Sequence, residues 1–153
     1  MADKIYLKDV EAWKELNRNQ TFSLYDYMFH AINTSHISRD IYFALQELYW
    51  PTFIERDTYV FLKENFSIEK FKDLKKDKTN SEFWMNFLST DPYFENEEDS
   101  DKKAEGLSKL LVEIWATKLK RDFPEKSFSV QYLEDKETGD YGLTFYQYKH
   151  QII

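Results

Sequence analysis

The chain has 153 residues, with 21 basic and 28 acidic side chains and a formal net charge of −7. Aromatic residues at 18%, against three glycines and three prolines, exclude a disordered or low-complexity chain. A chain of this length buries about 70% of its unfolded surface, so a single domain spanning 1–153 with one core is expected.

The opening stretch to Asn19 sets Val10, Trp13 and Leu16 at helical spacing, which predicts a short amphipathic element. From Thr21 to about Asn33, Phe22, Tyr25, Phe29 and Ile32 recur at intervals of three and four. Leu24, Met28 and Ala31 widen the stripe, predicting a core-facing helix. Ser38 is a candidate cap for a second helix whose buried side is Ile41, Ala44, Leu45 and Leu48. Trp50-Pro51 ends it, because the residue before proline is pushed out of the α region.

Phe53-Ile54-Glu55 and Thr58–Leu62 are rich in β-branched and aromatic residues and predict a hairpin turning at Arg56-Asp57. Ser67 caps a polar helix running through Phe71 and Leu74 to about Lys76. A further short helix starts at Ser81, with Phe83, Trp84, Phe87 and Leu88 as its apolar side. Residues 91–101 hold six carboxylates around Pro92, Tyr93 and Phe94 and read as a loop. Ala104, Leu107, Leu111, Ile114 and Lys118 then follow 3-4-3-4 spacing, widened by Leu110, Trp115 and Leu119. Acids precede this helix and Lys118, Lys120 and Arg121 close it, as its dipole favours; Pro124 stops it. Phe128, Val130 and Tyr132 alternate with Ser127, Ser129 and Gln131. Gly139 supplies the turn, and Tyr141, Leu143 and Phe145 line the matching face of the return strand. The sum is an α+β domain: five or six helices packed on a small antiparallel sheet built from two hairpins.

With no cysteine, disulfides, thiolate nucleophiles and cysteine-ligated metal sites are excluded. Residues 1–9 lack a signal-peptide core and no apolar run reaches the roughly 18 residues of a membrane span. A cytoplasmic protein is therefore expected, and the sequons at Asn19, Asn33 and Asn65 read as chance. Residues 1–78 carry net −1 and residues 79–153 net −6, a field that disfavours nucleic acid and membrane and permits a basic protein partner. The lysines at 70, 72, 75, 76 and 78 are interrupted by Asp73 and Asp77 and read as a solvated helix face.

Catalytic signatures are scarce. Asp26 lies four residues before His30, so the two would share a helix face, which reads first as a solvent-side helix pair and only second as an oriented acid–base pair. His36 stands in a polar turn with Ser35 and Ser38. Glu95, Glu97, Asp99 and Asp101 alternate like half a calcium loop, but Ser100 replaces the needed glycine and Gly106 the bidentate glutamate. No phosphate-binding glycine loop can be written, and no metal, cofactor or catalytic residue is expected.

What is left is aromatic surface beside acid. Tyr146 and Tyr148 point away from Phe145 on the last strand, and Tyr93 and Phe94 sit in the acidic loop. They make an interface if exposed, or pack if helices cover both sheet faces. The favoured reading is an inhibitor- or immunity-like protein-interaction module without catalytic activity. Its binding residues would be Tyr93, Phe94, Glu95, Glu97, Glu98, Asp99, Tyr146 and Tyr148. The alternative is a small-molecule enzyme using Asp26 with His30 or His36. A homodimer through the edge Tyr141–Lys149 is compatible with the first reading.

Overall fold

A computed structural model describes residues 5–151. Those residues form six α-helices and two antiparallel sheets, an α+β fold. The chain divides into two units, Met1–Leu45 and Gln46–Ile153.

The first unit is helical. α1 (Lys8–Leu16) is followed by α2 (Leu24–Thr34), which begins in a reciprocal cap. The Ser23 hydroxyl accepts the Asp26 N–H at 3.3 Å, and the Asp26 carboxylate accepts the Ser23 N–H at 2.8 Å. Trp13 gathers the unit's aromatic rings, with Phe22 at 4.6 Å, Tyr27 at 5.7 Å and His30 at 6.0 Å between centroids. Tyr27 and His30 lie on one side of α2, so the predicted stripe lies largely on the other and α2 has no buried residue. Tyr25 is 82% and Phe29 67% exposed, against the core-facing helix that their spacing predicts. α3 (Ile41–Tyr49) spans the division between the units, stops before Trp50-Pro51 as expected, and likewise has no buried residue.

The second unit opens with the hairpin β1 (Phe53–Arg56) and β2 (Tyr59–Leu62), in register from Phe53 opposite Leu62 to Arg56 opposite Tyr59. The turn is Asp57-Thr58, one residue later than predicted. Both residues have positive φ, 50° and 73°. This is the backbone that matches strand twist, reached without the usual Asn-Gly. α4 (Ile68–Lys76) carries the expected Ser67 cap, and Asn80 caps the five-residue α5 (Ser81–Met85). β3 (Leu88–Ser89), a 3₁₀ turn at Asp91–Phe94 and the long α6 (Ser100–Asp122) follow, then the hairpin β4 (Phe128–Asp135) and β5 (Asp140–Gln147).

The two predicted hairpins thus stand in separate sheets. β1 pairs with β2 alone, and β3 joins the second hairpin in the order β3-β5-β4. The last strand is consequently the middle one. β4 pairs with it from Asp140 to Gln147, and β3 takes its other side at Leu143 and Gly142. The free edge expected at Tyr141–Lys149 is therefore occupied over that stretch, and β3 and β4 are the outer strands.

α6 covers one face of this sheet. From its buried stripe, Leu107, Leu111, Trp115 and Leu119 meet Leu143 and Phe145 of β5 and Phe53, Val60 and Leu62 of the first hairpin. Trp115 donates its indole N–H to the Leu48 carbonyl at 2.9 Å, so the ring is buried without an orphaned donor. Alternation sends Phe61 of β2 the other way, into a second cluster with Phe71 and Met85. The opposite face of β5 is covered too. Phe83 lies 6.1 Å from the ring of Tyr146, and a Cβ on Gly142 would meet the Phe87 ring at 2.8 Å and the Leu88 carbonyl at 2.5 Å. Glycine is required there by close approach.

α5 buries a polar side that its apolar spacing does not predict, with Phe83 still packed by Tyr146. Its buried residues are Ser81, Glu82 and Met85, followed by Asn86, while Trp84 is exposed. The reason is local hydrogen bonding. β2 and β5 each turn one edge toward α5, and its side chains satisfy those backbones in place of a strand. Asn86 accepts the Leu62 N–H at 2.9 Å and donates to the carbonyls of Val60 (2.9 Å) and Phe145 (3.2 Å). Glu82 accepts the N–H of Val60 at 2.8 Å and of Gln147 at 2.7 Å. Among the described residues no buried side-chain nitrogen or oxygen is left without a partner.

Two stability effects follow. Asn86→Ala leaves three buried backbone groups unpaired and should cost about 3 kcal/mol or more, read as a lower urea midpoint. Thr58→Gly relieves a β-branched residue from positive φ, partly offset by unfolded-chain entropy, and should stabilise by about 1 kcal/mol in the same assay.

Candidate functional site: an acidic face at the start of β5

The carboxylate-rich segment is held down at both ends. Thr90 donates its N–H to the Tyr141 carbonyl at 2.9 Å, and its hydroxyl bonds to Ser108 Oγ at 2.7 Å and donates to the Ala104 carbonyl at 2.9 Å. Asp91 accepts the Tyr141 N–H at 2.6 Å and the Ser89 hydroxyl at 3.2 Å. These bonds fix the segment to β5 and α6. Asn96 and Asp99 then take positive φ, 64° and 58°, to turn the chain into the helix.

This placement gathers acid around two tyrosines. Tyr132 and Tyr141 stack on neighbouring strands with centroids 6.4 Å apart and planes at 22°. Partial burial pushes the Tyr141 phenol above its ordinary range. Carboxylates from three elements push the same way: Asp101 and Glu105 of α6, Glu134 of β4, and Asp91. Tyr132 is raised strongly, first by burial and then by Glu105 and Glu134, the latter accepting its hydroxyl at 3.4 Å. Lys109 is the local counter-charge, 2.5 Å from Glu105 and over the Tyr132 ring at 5.2 Å.

The residues expected from sequence divide. Glu95, Glu97, Glu98 and Asp99 are exposed on this segment, Glu97 paired with Lys103 at 3.0 Å. Tyr93 is 53% exposed, but Phe94 packs against the main core. Tyr146 is buried on the covered face of β5, its hydroxyl accepting a hydrogen bond from Gln131 at 2.9 Å. Tyr148 is exposed, but it follows the far end of β5, seven residues and roughly 20 Å along the strand from Tyr141. Tyr146 and Tyr148 therefore do not join Tyr93 in one patch. The residues that do complete the acidic face are Asp101, Glu105, Tyr132, Glu134 and Tyr141. One signal for them was in the sequence: Glu134 lies two residues beyond Tyr132, on the same strand face.

The acid–base candidates do not converge. Asp26 is committed to Ser23, whose N–H, then hydroxyl, hold its carboxyl below the usual range. His30 lies by Trp13, and His36 is exposed in the turn after α2. Among the described residues no group of three or more histidines or carboxylates could hold a metal ion, and no helix is long and apolar enough to cross a membrane.

Comparison with protein-family models, curated proteins and solved structures finds no match.

The raised phenols have a consequence for stability. A group whose folded pKa lies above its unfolded value stabilises below the unfolded pKa, and that stability is lost as pH rises through the folded one. For Tyr132 the loss begins above about pH 10, the ordinary phenol value. Urea denaturation at pH 9 and 11 should show a steep fall for the native chain and a shallower one for Tyr132→Phe.

Proposed function

We propose that this chain is a cytoplasmic protein-binding module that engages a basic partner through its acidic face, in the manner of a small acidic inhibitor. One observation carries the reading: carboxylates from the 91–101 segment, α6 and β4 converge on the Tyr132–Tyr141 pair, with Lys109 as the counter-charge there. Such a face steers a cationic surface in by long-range attraction. Tyr93 and the exposed edge of Tyr141 supply aromatic contact within it, the residue type enriched at interface centres. Glu95, Glu97, Glu98 and Asp99 form its rim, and rim charges govern association rate more than affinity.

The test uses a lysine-rich decapeptide titrated into the labelled chain at low salt. Amide shifts should saturate, cluster within 91–105 and 132–141, and weaken as salt is raised. Asp101→Asn/Glu105→Gln/Glu134→Gln should reduce affinity at least tenfold, whereas Glu11→Gln/Glu15→Gln on α1 should leave it unchanged. Shifts spread over all acidic surface, or equal losses in both variants, would sink the reading.

A further inference from the structure

At the other end of β5 the charge reverses. Glu82 is fully buried, and besides the backbone bonds from Val60 and Gln147 it accepts the Gln147 side-chain amide at 2.6 Å and the ring Nδ1–H of His150 at 3.1 Å. A buried carboxylate with four donors is fixed in place, and it fixes the imidazole in turn. His150 also lies flat on Tyr59, with centroids 4.1 Å apart and planes at 22°. With Nδ1 engaged, the other ring nitrogen, Nε2, has no protein partner among the described residues.

His150 lines a recess of about 340 Å³ together with Tyr59, Lys75, Lys78, Ser81 and Lys149. No Asp or Glu lines it, in a chain where acids outnumber bases 28 to 21. Lys75 is held by Asp57 at 3.6 Å and over the rings of Phe71 and Tyr59. Lys78 and Lys149 form no ion pair among the described residues. The lysine cluster read from sequence as a solvated helix face therefore places two members, Lys75 and Lys78, in a concave site.

Ser81 adds a hydroxyl-bearing residue to the lining. The residue is only 2% exposed. A serine, a histidine and three lysines lining one recess supply the donor types of a small oxyanion site. Lysine serves such sites as a point charge.

We propose that this recess binds a phosphate group, with Lys78 and Lys149 closing on it from the α4–α5 connection and the C-terminal turn, and Ser81 and His150 beneath. The volume lies at the low end of the roughly 300–1,000 Å³ of small-molecule sites, enough for phosphate bearing a small organic group. Free phosphate and a phosphomonoester share this chemistry.

The full chain is titrated with inorganic phosphate and, separately, phenyl phosphate at constant ionic strength, observing backbone amides and the His150 ring by NMR. Saturable shifts at Lys78, Ser81 and His150 are expected with at least one of the two. Tighter binding of phenyl phosphate assigns the site to esters, and equal binding assigns it to free phosphate. Lys78→Ala/Lys149→Ala should weaken binding at least tenfold, and Lys136→Ala, in the β4–β5 turn, should leave it unchanged. Shifts that stay linear to high concentration with both probes, or the same weakening from Lys136→Ala, would overturn the proposal.

Discussion

The second unit depends on two side chains of a single helical turn. Glu82 and Asn86, four residues apart, stand where a strand would otherwise run between β2 and β5. Backbone groups along a sheet edge must find partners once buried, and a helix offers no backbone to a neighbouring strand. A carboxylate accepting two N–H groups and an amide that both accepts and donates solve this with side chains. The arrangement explains why the sheets remain separate and why the polar side of α5 is buried while Trp84 is exposed.

β5 organises what is built around that seam. It is covered by α6 on one face and by Phe83 and Phe87 on the other, so Gly142–Gln147 are all buried. The rigid strand carries opposite charge at its two ends. Its start at Tyr141 lies among Asp91, Asp101, Glu105 and Glu134, and beyond its end His150 stands with Lys75, Lys78 and Lys149. The acidic-face and phosphate proposals occupy these two ends, share no residue, and so stand or fall separately.

Much of the local structure was legible in the sequence. α6 and the two hairpins emerge near their predicted bounds because long periodic or alternating segments leave few competing arrangements. Ser67 as a cap and Pro51 as a stop follow from backbone chemistry alone. The acidic segment was legible as composition, but its partners Glu105, Tyr132, Glu134 and Tyr141 come from α6 and the β4–β5 hairpin. Only strand pairing and the Thr90–Ser108 contact bring them together.

The sequence by itself determined the α+β class, most element positions and the uneven distribution of acid, because propensity, periodicity and charge are properties of neighbours along the chain. Tertiary structure decided which faces are buried. The stripe of α2 is exposed because Trp13 packs against the side that carries Tyr27 and His30. The polar side of α5 is buried because two strand edges there need hydrogen-bond partners. Tyr146 is covered because Phe83 packs over its face of the sheet. Each outcome turns on a partner distant in sequence, and hydrophobic pattern records that a residue can be buried but not what stands ready to bury it.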